Sequence, residues 1–249
     1  MELGLKNHIV LVTGAAKGIG KGIALACAQE GANLAIHYRE SEAEAFQTAE
    51  ELKKLGVKVC LVQGDIANVS DVVRMKDTIE RDLGVVDSIV NNAGLSKVKS
   101  FFQYEPDEWR RELEVCFYGV LNLAHVFLPS MKIQGGKFLN IIGDSARTGD
   151  RKLIISAAAR SGTISFMKSL AQEVGRDNIQ CNTIALGMID QGNLTIDEST
   201  MRSMVKKYPL QRLGSIDDVT GMVCFLLSTS SDWITGQVIS VNGGYSMMG

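Results

Sequence analysis

The chain has 249 residues, of which 45% are hydrophobic, so it is long enough and apolar enough to bury one large core. Its formal net charge is −2, and acidic and basic residues are mixed without long runs of one sign. This pattern argues against the basic surface that nucleic-acid binding requires, and no nucleic-acid partner is expected. The apolar run 9–12 is too short for a signal sequence or a membrane span, so we expect a cytoplasmic protein without a membrane partner.

Cysteines and histidines form no metal-binding pattern in the sequence. The five cysteines lie far apart, mostly inside apolar runs, which is typical of buried thiols rather than of a disulfide framework or a zinc site. The three histidines have no partner at helical spacing. No metal site is therefore predicted.

Short β-branched runs alternate with longer amphipathic stretches from one end of the chain to the other. Strands are predicted at 8–12, 34–38, 57–62, 86–91, 137–142, 179–185 and 237–241. Helices are predicted near 18–31, 41–55, 69–83, 106–132, 151–176 and 216–229. The alternation predicts one α/β domain over residues 1–249, a doubly wound Rossmann-type parallel sheet of seven strands with helices on both faces.

A glycine-rich turn joins the first predicted strand to the first predicted helix. Gly14 permits the tight turn, while Gly18 and Gly20 let backbone amides and the helix N-terminus approach a pyrophosphate. Lys17 and Ile19 lie in the same turn. A glycine triplet also occurs in turns that merely pack closely, but the strand before it and the helix after it favour dinucleotide binding.

The end of the second predicted strand indicates which dinucleotide is bound. An acidic residue there would accept hydrogen bonds from an adenosine ribose hydroxyl, but the position holds Tyr38, followed by Arg39. Together with Lys17, Arg39 provides two cations that can flank a 2′-phosphate. NADP is therefore favoured over NAD. The alternative is that both cations are solvated surface groups, and Glu40 stands nearby.

Two further turns follow predicted strands, Gly64-Asp65-Ile66 and Asn91-Asn92-Ala93-Gly94. With the glycine turn and the C-terminal stretches 209–214 and 234–245, they resemble the short-chain dehydrogenase/reductase family over practically the whole chain, and bacterial β-ketoacyl-[acyl-carrier-protein] reductases in particular. The resemblance implies that Asp65 contacts the adenine with Ile66 beside it, and that Asn92, Ala93 and Gly94 support the cofactor. It also implies a homotetramer, with a hetero-oligomer left open.

The same resemblance locates the catalytic positions. Members of the family generally use an Asn, a Ser, a Tyr and a Lys, of which the Tyr is the general acid and the Lys lowers its pKa and holds the nicotinamide ribose. Ungapped matching places Cys116, Gly143, Ser156 and Arg160 at these four positions, so the whole tetrad is substituted. If the matching to the family pattern is shifted in this loop, Ser145 or Asp144 takes the Ser position.

The substitutions remove the usual proton donor. A Ser hydroxyl is a far weaker acid than a phenol, and an Arg guanidinium stays protonated. Losing a positioned acid costs about 10²–10⁴ in rate. We therefore expect an NADP(H)-binding protein that reduces carbonyls slowly or not at all.

Two alternatives stay open. One is an active NADPH-dependent reductase of a ketone or β-ketoacyl thioester that uses Arg160, Ser145, Asp144 or water as donor. The other is an interaction protein that no longer binds a dinucleotide.

The nicotinamide end and the substrate side carry further expectations. Gly187 and Ile189 are the candidate cofactor contacts there, but Leu186 replaces the family's usual Pro and Gln191 its frequent Thr. Segment 186–207 is polar and lacks strong periodicity, which predicts a mobile substrate loop for a small-molecule ligand. Five apolar residues are candidates for a wall that holds an acyl chain: Val98, Phe101, Phe102, Met188 and Met204. The alternative is that they simply pack against the rest of the protein.

Overall fold

The structure, a computed structural model, describes residues 3–192 and 194–248. Seven strands form one sheet in the order β3-β2-β1-β4-β5-β6-β7, and every neighbouring pair is parallel. The strands are β1 Ile9–Val12, β2 Asn33–Tyr38, β3 Val59–Gln63, β4 Ser88–Asn91, β5 Gly136–Gly143, β6 Ile179–Leu186 and β7 Val238–Val241. The predicted doubly wound sheet of seven parallel strands is confirmed.

Nine α-helices connect and cover the strands in the described part of the chain. They are α1 Gly18–Gln29, α2 Glu42–Lys53, α3 Val69–Asp82, α4 Pro106–Leu113, α5 Gly119–Met131, α6 Ser145–Thr148, α7 Ile154–Val174, α8 Glu198–Val205 and α9 Ile216–Leu227. Short 3₁₀ turns lie at Phe101–Gln103, Gly175–Asp177 and Thr229–Ser231, and a π-helical turn, Glu114–Tyr118, joins α4 to α5.

Alternate residues of each strand feed two separate cores, one on each face of the sheet. In β1, Val10 and Val12 pack with α1, α2 and α9, whereas Ile9 and Leu11 pack with α3, α5 and α7. All four strand residues are buried, which is typical of a parallel strand covered on both faces. Helices on both faces leave the carboxyl ends of the strands as the edge where loops can form a site.

Helix boundaries differ from the sequence-based expectation in two places. The predicted helix 106–132 is α4, the π turn and α5 in succession, and such turns often mark functional sites. The predicted helix 151–176 begins at Ile154 and is preceded by the four-residue helix α6, which was not predicted. Within the predicted loop 186–207, α8 is an additional helix, while Asn193 lies outside the described residues.

The stretch Pro106–Met131 is long and apolar enough to cross a membrane by length and composition alone. Its second half, α5, buries Leu123, Phe127 and Met131 in the core on one face of the sheet. Packing against the sheet therefore explains the apolar composition of this stretch.

Phe138 tests how strongly this packing holds the domain together. Its side chain is fully buried in the middle of β5, whereas Phe102 is 93% exposed. We expect Phe138→Ala to lower the free energy of unfolding by about 3–5 kcal/mol, because it removes buried apolar surface and leaves a cavity. Phe102→Ala is the matched control and should change it by less than about 0.5 kcal/mol. Denaturant unfolding measures both, and equal losses would contradict the described core.

Candidate functional site

A cavity of about 490 Å³ lies at the carboxyl ends of the central strands. Twelve of the predicted cofactor-binding residues line it: Gly14, Lys17, Ile19, Gly20, Tyr38, Arg39, Asp65, Ile66, Asn92, Ala93, Gly94 and Arg160. Residues that the sequence did not single out for this role also line it: Ala16, His37, Glu40, Ser41, Gly64, Leu95, Arg111, Val115 and Gln191. Predicted residues from five separate chain segments therefore converge on one cavity.

The glycine turn is packed so closely that side chains do not fit in it. Gly14 and Gly18 have φ of +64° and +59°, a conformation that L side chains rarely adopt. A Cβ on Gly20 would collide with the carbonyl oxygen of Gly14 and lie 2.6 Å from the Asn92 amide nitrogen. Helix α1 starts at Gly18, so its unpaired amides and positive dipole end stand beside the cavity. Gln191 covers Gly18, which places this side chain over the turn.

Thr13 and Asn92 tie the glycine turn to the end of β4. The Thr13 hydroxyl accepts hydrogen bonds from the backbone N–H groups of Asn92 (3.0 Å) and Ala93 (2.9 Å) and donates to Asn91 Oδ1 (3.0 Å). The Asn92 side-chain amide donates to the carbonyl oxygens of Thr13 (3.0 Å) and Gly14 (3.2 Å). Each potential hydrogen bond of the Thr13 hydroxyl is thus used to fix two strand ends relative to each other.

His37 links the glycine turn to the end of β3, a role that the sequence did not predict. Its Nδ1 accepts from the Gly14 N–H (3.1 Å), and its Nε2 lies 3.0 Å from the Gly64 carbonyl oxygen. Because Nδ1 is an acceptor, the proton belongs on Nε2, where it is donated to Gly64. Burial lowers the pKa of His37, since the charged form would be desolvated. The ring is therefore a neutral connector between two cavity walls.

The cations at the edge of the cavity are paired with carboxylates on the surface. Lys17 Nζ lies 3.2 Å from Glu44 Oε1, and Arg39 Nη2 lies 2.6 Å from Glu40 Oε1. Such exposed pairs are screened by solvent and contribute little to stability, so they break readily in favour of a stronger anion. Tyr38 differs from the two cations because its ring is buried, and burial raises the pKa of its hydroxyl.

Asp65 is held by a cation from a distant part of the chain. Its Oδ2 lies 2.5 Å from Arg111 Nη2, and its Oδ1 accepts from the Ala67 N–H at 3.0 Å. Arg111 belongs to α4 and also lines the cavity, a contact that was not predicted from the sequence. A carboxylate has about four acceptor positions, so Asp65 retains acceptor capacity beyond these two bonds.

The residues at the Tyr and Asn positions lie in the protein interior and outside the lining of the cavity. Ser156 is buried, donates to the Leu153 carbonyl oxygen (3.2 Å) and shares a 2.9 Å hydrogen bond with the Ser96 hydroxyl. Cys116 lies in the π turn, where its thiol donates to the Leu95 carbonyl oxygen at 3.0 Å and accepts from the Leu95 N–H. Both side chains therefore hold backbone of the loop and helix around them.

Arg160, at the Lys position, does reach the cavity. Its Nη2 lies 2.6 Å from the position that a Cβ on Gly94 would take, so a side chain at residue 94 would require the guanidinium to shift. Within residues 3–192 and 194–248, Arg160 has no salt-bridge partner, unlike Lys17, Arg39 and Arg111. An unpaired guanidinium beside a cavity can hold an anion or several hydroxyl groups.

A second cavity, of about 660 Å³, lies beside the first at the ends of β5 and β6. Gly143, at the Ser position, borders it together with Ser145, whose hydroxyl lies 3.4 Å from the place of a Gly143 Cβ. Two phenols that the sequence did not single out, Tyr208 and Tyr245, form part of its wall. A side-chain hydroxyl from residue 145 thus stands close to where a serine at 143 would place one.

The predicted nicotinamide contacts and apolar wall are only partly brought together. Gly187 borders both the second cavity and a third of about 590 Å³, and Ile189 lines that third cavity with it. Met188 and Met204 line the second cavity. Val98 and Phe102 are instead 72% and 93% exposed on a separate surface loop, which is a poor fit to an apolar wall.

Sequence comparison places the chain among reductases. A family model described as enoyl-(acyl carrier protein) reductase matches residues 14–246. The chain belongs to the short-chain dehydrogenase/reductase family. It is 34% identical to a 3-oxoacyl-[acyl-carrier-protein] reductase of Staphylococcus epidermidis, over 97% of this chain and 100% of the relative, and 32% identical to one of Chlamydia muridarum, over 96% and 98%.

Solved structures support the same family through the fold. A candidate short-chain alcohol dehydrogenase from Sinorhizobium meliloti superposes with a TM-score of 0.93 and 28% identity, covering 98% of both chains. A blue fluorescent protein from a metagenomic library, solved in complex with NADPH, gives a TM-score of 0.92 and 28% identity over 98% of this chain and 99% of that one. The resemblance predicted from the motifs is thereby confirmed.

His37 gives the site a testable pH dependence. Its folded-state pKa lies below the value of about 6.5 for an unfolded chain. Its contribution to stability is therefore complete above about pH 6.5 and is lost as the pH falls from there through the folded-state pKa. Between pH 7.5 and 5.5, we expect His37→Gln to lose less unfolding free energy than the unmodified protein. His125→Gln, at an exposed histidine, is the control and should keep the full pH slope.

Proposed function

We propose that the first cavity binds NADP(H). The glycine turn and the N-terminus of α1 would hold the pyrophosphate, with Lys17 and Arg39 turning from their exposed carboxylate partners to a 2′-phosphate. Asp65 keeps acceptor capacity for the adenine side, and Arg160 would meet the nicotinamide ribose. The observation that carries this proposal is the convergence of twelve predicted residues on one cavity.

We further propose that carbonyl reduction is slow or absent. When bound, the nicotinamide supplies hydride to a carbonyl carbon, and the oxygen that becomes negative then needs a proton or a fixed donor. Ser156 is buried and its hydroxyl donates to the Leu153 carbonyl oxygen, so the group at the Tyr position neither reaches the cavity nor has a suitable acidity. Arg160 supplies a fixed positive charge but no proton.

One observation favours the second candidate function, an active NADPH-dependent reductase with an unusual donor. Ser145, Tyr208 and Tyr245 all line the second cavity, so hydroxyl groups are present on the substrate side although residue 156 offers none. The Tyr208 oxygen accepts from the Met188 N–H at 2.9 Å, which leaves its own proton available. Asp144 is less suited, since one of its oxygens is already occupied by Asn242 and Ser246.

The localisation, the oligomeric state and the partners of the protein are also proposed. We infer a cytoplasmic homotetramer, as the resemblance to 3-oxoacyl-[acyl-carrier-protein] reductases suggests, with a hetero-oligomer as the alternative. No nucleic-acid or membrane partner is proposed. Segment 186–207 is proposed to move over a small-molecule substrate, since it borders the second cavity through Met188 and Met204.

Two measurements on the unmodified protein test these proposals. Fluorescence titration with NADPH should show saturable binding, one molecule per chain, and NADH should bind more weakly. Turnover of an acetoacetyl thioester should fall at least about 10²-fold below ordinary reductase rates. Ordinary turnover would overturn the proposed impairment and support the second candidate. Absence of binding by either dinucleotide would overturn the cofactor proposal itself and favour an interaction protein.

Gly20→Ala tests the cofactor site without touching the proposed chemistry. The added methyl group would collide with the Gly14 carbonyl oxygen and press on the Asn92 amide, so the turn must open. We expect the affinity for NADPH to fall by about tenfold or more, where each tenfold is about 1.4 kcal/mol. Gly221→Ala is the matched control, because a Cβ there meets no atom within 4 Å in α9. Unchanged affinity in Gly20→Ala would place the pyrophosphate elsewhere.

Restoring the family's residues tests the proposed impairment. The double variant Ser156→Tyr, Arg160→Lys should gain at least about tenfold in NADPH-dependent reduction, out of the 10²–10⁴ that a positioned acid supplies. The matched control is Ser161→Tyr, Arg160→Lys, which adds the same phenol at an exposed position of α7 and should gain nothing. Thermal unfolding checks that the larger side chain at the buried position is accommodated. An equal gain in both variants, or a loss only at position 156, would argue for a donor other than a tyrosine there.

A further inference from the structure

We propose that the second cavity binds short, uncharged, hydroxylated carbonyl compounds rather than long acyl chains. The proposal rests on the proposed function in one respect, because the cavity is taken as the substrate side of the dinucleotide site. It commits to a ligand class that neither the family resemblance nor the named relatives supply. Its basis is a buried carboxylate in the cavity wall that lacks a hydrogen-bond donor.

Asp144 is the central residue of the argument. It follows β5 directly, only 3% of its surface is exposed, and it forms part of the cavity wall. Its Oδ2 accepts from the Asn242 amide at 2.8 Å and from the Ser246 hydroxyl. Its Oδ1 has no hydrogen-bond partner in the described part of the chain. A buried carboxylate oxygen without a donor is costly, and a donor from the cavity side would complete it.

The C-terminal segment holds this carboxylate in place. The Asn242 amide that donates to Asp144 also donates to the Ser246 carbonyl oxygen at 2.9 Å, and Asn242 Oδ1 accepts from the Gly244 N–H at 3.0 Å. Asn242 is thereby fixed from both sides of its amide. Because Oδ2 is fixed by these partners, Oδ1 cannot turn away to find a donor elsewhere.

Two phenols and a second carboxylate add polar groups to a wall whose remaining surface is largely apolar. Tyr245 donates to Asp150 Oδ1 at 2.9 Å, and burial followed by the Asp150 carboxylate raises the pKa of Tyr245 to about 12. The rings of Tyr208 and Tyr245 lie with centroids 5.3 Å apart. Both phenols are neutral at ordinary pH, so they present hydroxyl groups rather than charges to a ligand.

The charges of the lining select the ligand class. Asp144 and Asp150 are balanced by Arg151 and Lys207, which are exposed at the rim, so the lining has no net formal charge. These two cations repel a cationic ligand, such as one with an ammonium group, as it enters the cavity, whereas they do not repel a ligand with neutral hydroxyl groups. An acyl chain leaves the buried Asp144 Oδ1 without a donor, whereas a ligand hydroxyl that reaches it supplies one. A hydroxylated carbonyl compound satisfies the carboxylate and still offers carbon atoms to Met188 and Met204.

A matched pair of four-carbon ketones tests the proposal. Erythrulose, which is 1,3,4-trihydroxybutan-2-one, and butan-2-one share a carbon skeleton and differ only in hydroxyl groups. Calorimetric or NMR titration of the NADPH-saturated protein should show at least about tenfold tighter binding of erythrulose, because a site built around hydrogen bonds rejects the analogue that lacks them. Equal affinity, or tighter binding of butan-2-one, would overturn the proposal.

Asp144→Asn tests whether the Asp144 carboxylate causes the preference for erythrulose. The amide can keep its oxygen toward Asn242 and Ser246, which puts an NH₂ donor where the unpartnered acceptor was. Erythrulose affinity should fall at least about tenfold while that of butan-2-one stays the same. Asp107→Asn, at a 90% exposed carboxylate on α4, is the matched control and should change neither. If Asp144→Asn unfolds, Asp150→Asn serves in its place, and an unchanged erythrulose preference in the folded variant would overturn the proposal.

Failure of this proposal and failure of the proposed function are separable. The same titrations are run on the protein without NADPH, and NADPH binding is measured independently. A protein that binds no dinucleotide but prefers erythrulose retains the ligand site and loses the cofactor proposal. A protein that binds NADPH but shows no preference for erythrulose retains the cofactor proposal and loses the ligand site.

Discussion

A buried line of hydrogen-bonded side chains connects the strand ends on which both cavities depend. Thr13 donates to Asn91, whose amide donates to Asn140 Oδ1 (2.9 Å), and the Asn140 amide donates to the Thr163 hydroxyl (2.9 Å). Thr163 in turn donates to the Arg160 carbonyl oxygen at 2.7 Å. The line passes from β1 through β4 and β5 to α7, and its four side chains are buried. Removing one partner would leave a buried polar group unpaired, at about 1–3 kcal/mol.

This line fixes the position of the helix that carries residues 156 and 160. Because Thr163 lies one turn after Arg160 and is bonded to its carbonyl, the first half of α7 has a defined place against β5. Ser156 and Arg160 therefore stand on a helix whose place against β5 is fixed, and the proposed departure from the family pattern is one of side-chain chemistry rather than of fold. The fold is what the two solved structures share with this chain.

The sequence allowed most of the fold to be predicted because its signals are local. Each strand is a short apolar run and each long helix an amphipathic one, and both patterns survive in any tertiary context. Helices α6 and α8 were not predicted because they are short, with four and eight residues. Their positions depend on contacts with the rest of the domain, which a local pattern does not record.

The candidate site was predictable only where a motif reports on it. The glycine turn, Asp65 and the Asn-Asn-Ala-Gly turn follow strands, so their place at one edge of the sheet follows from topology. Arg111 and Tyr245 reach the cavities from helices and loops that are distant in sequence, and no motif or residue spacing predicts these contacts. His37 was noticed only as an isolated histidine, because its two partners come from different strand ends.

The structure also explains why binding and turnover can separate in such a protein. Holding a dinucleotide depends on backbone amides, a close-packed turn and cations whose surface ion pairs contribute little, and these features come from separate chain segments. Proton transfer depends on a single acidic group at one place, and under the proposed function the buried Ser156 does not provide it. A substitution at residue 156 can therefore remove chemistry while the many contacts proposed for the cofactor remain. Arg160 strengthens this separation, because a guanidinium keeps the positive charge beside Gly94 without supplying a proton.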